Sequence, residues 1–471
     1  ITDPRKFAWT EPGNISRQFC EPMVRWASDF SFQPMLLEGW EVSDDAKTYT
    51  LKVRQGAVWT NGDEFNADDI IHNLNRWCDK AVEGNSMAAR MGTLIDPDTN
   101  KAIEGAIEKG DDFTVQLNLP RPDITLIAGM SDYPALCVHR SFGDDSDLAQ
   151  SPIGTGPFEL VSIEIGTMAE VKRREDGKWW GGDVYLDGIR FLDFGTDNAS
   201  IVAAFDGDEI DINDESTADF IEAYDALGLV KSSKPTANTI VARMRADTPP
   251  YDSKELRNAI QLACDNEVLL AISINNEGIP AENHHVAPFH PEYAELPKIA
   301  PDPAKAMEMA TAAGHAETEI DIISIDGDWR TTTTDAIGAQ LRQAGFKVKR
   351  TVMPGNTFWN DWTKYPFSTT NWGPRPLGVQ VLALAYRSGE AWNESGHSNP
   401  EFDALLDEAL GVFDADERRE YSAKLQAMLQ DSGAIIQPFW RNQALHHTDK
   451  VKNVSAHQFR EMHYEKVWLD A

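Results

Sequence analysis

Tyr49-Thr-Leu-Lys-Val-Arg54-Gln-Gly56-Ala-Val58-Trp59-Thr-Asn61-Gly62-Asp63-Glu-Phe65-Asn66-Ala67-Asp68-Asp69-Ile70 decides how the chain is read. Tyr49, Leu51 and Val53 alternate with Thr50, Lys52 and Arg54, the period of a half-buried strand. Gly56 marks a turn. Asn61-Gly62 marks a second, because both residues tolerate positive φ. Asn66 or Asp68 then caps a helix that carries Ile70, Ile71 and Leu74. Strand, turn and capped helix in immediate succession place the segment in an α/β fold.

The same grammar extends outward. Strand-rich stretches fall near 47–59, 112–119, 157–173 and 188–194. Amphipathic helices follow from Lys254 to Leu270, Asp335 to Ala344 (stopped by Gly345), Glu401 to Leu410 and Asp416 to Leu429. Phe346-Lys-Val348 after Gly345 reads as helix, stop, strand. Ser151-Pro-Ile-Gly-Thr-Gly-Pro-Phe158 is a stiff crossing between segments, and Ser232–Thr239 with Thr248-Pro249-Pro250-Tyr251 flanks another.

The 471 residues exceed one ordinary core, so two or three domains are expected. With 41% hydrophobic residues there is enough apolar matter to bury them. Mean hydropathy is -0.42, and no run approaches the ~18 apolar residues of a membrane span. The start at Ile1-Thr2-Asp3-Pro4, with no Met, reads as a processed chain whose signal peptide is not in view. A net charge of -33 repels nucleic acid and anionic lipid, and its field favours cations. Cys20, Cys78, Cys137 and Cys264 lie roughly sixty or more residues apart with no Cys-x-x-Cys pair. Disulfides and buried free thiols both remain open.

Several blocks resemble, in order along the chain, the large solute-binding proteins (family 5) that serve peptide, opine and nickel ABC importers. They are Pro34–Asp45, the 49–70 segment, Pro152-Ile-Gly154-Thr-Gly156-Pro157-Phe158, Lys178-Trp179-Trp180-Gly181 with Leu186–Ile189, Phe205–Asp211, Pro250–Ile260, Asn399-Pro400-Glu-Phe402-Asp403 and Glu417-Arg418-Arg419. The resemblance implies a bilobal type II periplasmic-binding fold with an additional domain. Mapped here, one lobe combines 1–34, 152–240 and 445–471, the extra domain is 35–151, and the second lobe is 241–444. It further implies a periplasmic, non-enzymatic receptor that closes on a small polar ligand and hands it to an ABC transporter membrane permease. No cofactor, metal or nucleic acid is expected. A monomer is expected, since no coiled coil or apolar stripe is evident. A carbohydrate or peptide hydrolase, or a chemosensory receptor on the same fold, is the alternative.

A closing cleft holds a solute between aromatic surfaces and a few fixed polar anchors. In the family the region of Asn371-Trp372-Gly373-Pro374-Arg375-Pro376 lines the cleft. Peptide-binding members carry an acidic residue just after the Trp, where this chain has Arg375, which points to a carboxylate-bearing ligand. Asp328-Trp329-Arg330 matches a second cleft loop, and Trp392, Asn393 and Glu394 follow downstream. Asn14 and Phe19 fall in the segment that crosses the cleft floor. Trp40, Trp59, Trp179 and Trp180 are read as packing residues. His284, His285 and His290, and likewise His446-His447, lack metal-ligand spacing and are read as structural. Two Asp-rich stretches, 96–107 and 206–217, fail the calcium-loop pattern at the twelfth position. No Gly-x-Ser-x-Gly or phosphate-binding motif is present.

Overall fold

The computed structural model describes residues 3–7, 10–195, 197–327 and 329–470, apart from the side chain of Asn356. The candidate-loop residue Asp328 lies outside them. Two compact units result, Ile1–Ser233 with Ala444–Ala471, and Lys234–Gln443.

In the first unit, the opening segment forms the strand Thr48–Val53 and the helix Ala67–Cys78. Tyr49, Leu51 and Val53 are buried while Lys52 is exposed, so the period-two pattern is realised. The strand is central to an antiparallel sheet ordered Leu37–Val42, Thr48–Val53, Thr114–Asn118, Ile107–Asp111. Asn66 is the N-cap. Its side chain accepts from Asp68 N, and Asp69 reaches back to the Asn66 N–H in a capping box. Asp69 also accepts from the buried Trp59 Nε1 at 3.3 Å, which ties the Asn61-Gly62 turn to the helix. Leu51, Trp59, Phe65, Ile70, Leu74 and Trp77 belong to one core. A second antiparallel sheet, Phe158–Glu164, Met168–Arg173, Gly188–Leu192, covers a core containing Phe19, Leu136, Phe158 and Val171.

The second unit is built on a mixed sheet. Its path runs Gly278–Pro280, Phe439–His447, Val230–Met244, Phe367–Trp372, Glu319–Ile325, Lys347–Met353, with Ile435–Ile436 paired off the path. The helix Trp329–Ala344 connects the parallel strands Glu319–Ile325 and Lys347–Met353, as α/β connections do. Ile320, Ile322, Ile337, Leu341, Leu256, Ile260 and Phe367 fill one side. Both unit boundaries fall inside strands, Val230–Met244 and Phe439–His447, which are hydrogen-bonded neighbours.

The expected helix Lys254–Leu270 is in fact two, Lys254–Leu262 and Asn266–Ile274. Asp265 caps the second by accepting from Glu267 N and Val268 N, an alternative its short carboxylate offers to helix continuation. The boundary expected at Ser232–Thr239 falls at Ser233/Lys234, inside a 15-residue strand. All four cysteines are buried free thiols. Burial pushes Cys78 and Cys264 up to about 12, so they are inert. Among the described residues no helix is long and apolar enough to cross a membrane.

The Pro152–Phe158 motif has a steric reason. Gly156 N donates to Phe19 O at 3.0 Å and Phe158 N to Gln18 O at 3.1 Å. A Cβ on Gly154 would stand 1.8 Å from the Phe19 carbonyl oxygen, and one on Gly156 would stand 2.7 Å from that of Gln18. Gly154→Ala therefore forces backbone apart and should cost about 1–3 kcal/mol or more, as overpacking does. Urea unfolding followed by circular dichroism measures it, and an unchanged midpoint would refute the contact.

Candidate functional site

Arg243 sits in the strand Val230–Met244 after Ile240, Val241 and Ala242, with its side chain fully buried. Its Nε donates to Glu394 Oε2 at 2.9 Å. Its two terminal nitrogens donate to the carbonyls of Tyr365 and Trp362. Glu394, 2% exposed, accepts on Oε1 from Trp372 Nε1 at 2.7 Å and from the Thr370 hydroxyl. One ion pair thus ties together two strands, the 359–366 loop and the 390–396 loop. Burial pulls the Arg243 guanidinium down from its usual range, and Glu394 opposes that shift.

Three of the four tied segments carry tryptophan. Trp362, Trp372 and Trp392 pack against one another, and Trp359 adjoins Trp362. Trp372 is buried, Trp362 is half-buried, and Trp359 and Trp392 are 39% and 43% exposed. Behind Trp372 lies His285, edge-on at 5.5 Å, which also meets Tyr386 and Trp440. The Tyr386 hydroxyl lies 2.7 Å from His285 Nδ1. Burial first, then His290 and Arg375, depress the His285 pKa to about 3, so the ring is neutral and shares one hydrogen bond with the Tyr386 hydroxyl through Nδ1.

Eight of the ten candidate residues lie in this second unit. Asn371 accepts from Arg330 Nη1 at 3.1 Å. Half-buried Arg375 donates to the carbonyls of Gly373 and Pro374 in its own loop, and His290 Nε2 meets the Arg375 carbonyl at 2.9 Å. Trp329 faces the Arg441 guanidinium at 4.2 Å and neighbours Phe439. Trp392 is open to solvent. Asn393 bonds the carbonyls of Arg387 and His397 and is scaffold for its loop. Glu394, expected to face ligand, is the buried partner of Arg243. The other two candidates lie in the first unit. Phe19 is 0% exposed in a core, which corrects the expectation that its ring meets ligand. Asn14 uses its amide on Arg460 O and Met462 N.

The sequence reading missed Arg243, Trp359 and Trp362. A charged residue after an apolar strand run, and a Trp-x-x-Trp pair between Pro354 and Pro366, were the available signals.

Clusters of reactive residue types in the first unit include His139, which lies 2.7 Å from the exposed Ser141 hydroxyl and 2.9 Å from Asp63. His457, Glu461 and His463 bring potential ligand atoms within 4.8 Å of one another. However, His457 Nε2 meets Trp26 O at 2.7 Å, its Nδ1 accepts from Phe459 N, and Arg17 Nη1 occupies Glu461 Oε2 at 3.0 Å. Both His457 nitrogens and Glu461 Oε2 are thus committed to protein partners, leaving Glu461 Oε1. His446 meets the Ser216 hydroxyl at 2.7 Å and Asp225 at 3.1 Å. Ser216 is buried and takes a bond from Asn213 Nδ2 at 2.9 Å, so the triad-like set presents no open nucleophile. Trp179 and Trp180 both donate to the buried Glu21, as packing residues do.

Residues 31–394 match the family described as bacterial extracellular solute-binding proteins, family 5 Middle. The dipeptide-binding protein DppE of Bacillus subtilis (strain 168) is 24% identical over 481 residues, 96% of this chain and 86% of that protein. Di/tripeptide-binding protein 1 of Pseudomonas aeruginosa (strain UCBPP-PA14) is 30% identical over 79% of this chain and 66% of its own length. Among solved structures, the ABC transporter substrate binding protein CtaP from Listeria monocytogenes superposes with a TM-score of 0.85 at 19% identity, covering 100% of this chain and 98% of that one. AgaA from A. tumefacien R10, in complex with agropinic acid, gives 0.82 at 18%, covering 99% and 96%. These likenesses show the α/β periplasmic-binding fold.

Glu394→Gln leaves Arg243 buried without its counter-charge and should cost about 3–5 kcal/mol in chemical unfolding, with Arg243→Met/Glu394→Leu recovering part of it. His285 is held neutral, with a folded-state pKa of about 3 against 6.5. Its contribution is therefore complete above pH ~6.5 and is lost as pH falls toward 3. His285→Gln should flatten the decline of the urea midpoint between pH 6.5 and 4, and an unchanged slope would place the ring elsewhere.

Proposed function

Because the chain belongs to the bacterial extracellular solute-binding proteins of family 5, we propose that it captures a small carboxylate-bearing solute and delivers it to the membrane permease of an ABC importer. The solute is a short peptide or a specialised acid such as an opine or a conjugate. The observation that carries this reading is the charge arrangement around the tryptophans. The carboxylate of Glu394 is spent on Arg243, while the half-buried charged groups Arg330, Arg375 and Arg441 are cations. Guanidinium is the group suited to bidentate capture of a carboxylate. Relatives whose names specify dipeptides and agropinic acid support that ligand class.

The working cycle is hinged closure in the periplasm by a monomer. Ligand contacts available only in the closed form shift the population toward it. The paired strands Val230–Met244 and Phe439–His447, in which the unit boundaries fall, serve as the hinge. Residues 35–151, which supply most of the core around Leu51, Trp59 and Ile70, act as the extra domain. The lobes comprise 1–34, 152–240 and 445–471 on one side and 241–444 on the other. The solute is delivered chemically unchanged, the task of a solute-binding receptor of this family.

Native mass spectrometry of the purified protein, with identification of the released molecule, tests the class. The expected mass belongs to an acid recovered intact; a neutral sugar or a hydrolysed product would overturn the reading. With that acid in hand, Arg375→Ala should weaken binding about 10- to 100-fold by calorimetry. Unchanged affinity removes Arg375 from the site.

A further inference from the structure

Resting on the Trp372–Arg375 loop as ligand wall, we propose that Trp362, Trp372 and Trp392 form an aromatic cage for an alkylated ammonium group. The solute is then a zwitterion, with its carboxylate at the guanidiniums and its cation among the indoles. The ring centroids lie 6.1, 6.4 and 6.0 Å apart, and the planes meet at 67°, 72° and 69°. Walls so steeply set suit a corner, which an ammonium would enter from the side of Trp392, 43% exposed, since Trp372 is buried. A group seated there stands about 4–5 Å from each ring, inside the ~6 Å reach of cation–π attraction. Trp359, 6.2 Å from Trp362, extends the aromatic surface.

Two features favour a cation in this corner. The Trp372 N–H is donated to the Glu394 carboxylate, which pushes electron density into the indole and makes its face more attractive to positive charge. The solvent-reached indoles Trp359 and Trp392, each in contact with Trp362, expose apolar surface of the kind that marks a binding surface, in a protein whose net charge of -33 concentrates cations around it. Of the charged groups on the surrounding loops, Asp361 and Glu390 are exposed acids, Lys364 is paired with Asp361, and Arg243 is neutralised by Glu394.

The degree of alkylation follows from hydrogen bonding. A primary ammonium, such as a peptide N-terminus, needs acceptors for its three N–H groups once desolvated. Glu394 already accepts from Arg243, Thr370 and Trp372. A fully methylated ammonium needs no acceptor, and aromatic faces suffice for it.

Calorimetry on the intact chain with two probes of one shape tests the cage. N,N,N-trimethylglycine carries the cation, and 3,3-dimethylbutanoate replaces nitrogen by carbon. Trimethylglycine should bind about ten-fold tighter than its isostere. Trp362→Leu and Trp392→Leu should each remove that preference, bringing the two probes to equal affinity, with thermal melts confirming that both variants fold. Equal affinity for the two probes, no binding of trimethylglycine at tens of millimolar, or an unaltered preference in both variants overturns the cage. Arg375→Ala separates the two readings. Weakening of both probes with no preference for the cation keeps the carboxylate anchor and rejects the cage, whereas a retained preference with unweakened binding does the reverse.

Discussion

The Arg243–Glu394 pair is the constraint around which the aromatic site is organised. Taking both charges out of water is expensive, and their mutual attraction repays that only when the remaining hydrogen-bonding positions are filled. Here they are filled by the carbonyls of Trp362 and Tyr365, the Thr370 hydroxyl and the Trp372 indole. The desolvation cost is thus offset by bonds that each fix a tryptophan-bearing segment. Well-packed apolar residues could stabilise the same volume without specifying where those segments stand.

The pair also separates two scales of electrostatics. Over the whole molecule acidic residues dominate, 76 against 43 basic ones. Close to the tryptophans the Glu394 carboxylate is paired with Arg243, and half-buried Arg375 follows Trp372 in the same loop. A ligand therefore approaches a molecule of one sign and meets local groups of the other. Short-range contacts decide at the site because the remote charges are screened beyond about a Debye length.

Much of the fold was legible from local pattern. The alternation of Tyr49, Leu51 and Val53, the Asn66 cap and the Gly345 stop each encode geometry within a few residues, and each was realised. The helix break at Asp265 was missed because an apolar stripe continues through it while the carboxylate turns back to cap. The site was less legible. Glu394 looked like a ligand contact because its true partner lies 151 residues away in sequence, and no periodicity reports a pairing of that span. Phe19 looked accessible by position in the chain. Only the close packing of its backbone against Gly154 and Gly156 explains why its ring belongs to the core.

The chain leaves its first unit at Ser233 and returns to it at Ala444. The returning segment is not peripheral. Glu461 pairs with Arg17, Met462 bonds Asn14, and His457 meets Trp26. These contacts span more than four hundred residues, so loop closure must be met before they reward folding. The second unit is one uninterrupted stretch and faces no such delay. During synthesis from the N-terminus, the middle of the polypeptide is complete before the beginning can be. The N-terminal segment must stay unfinished until the stretch from Ala444 onward emerges.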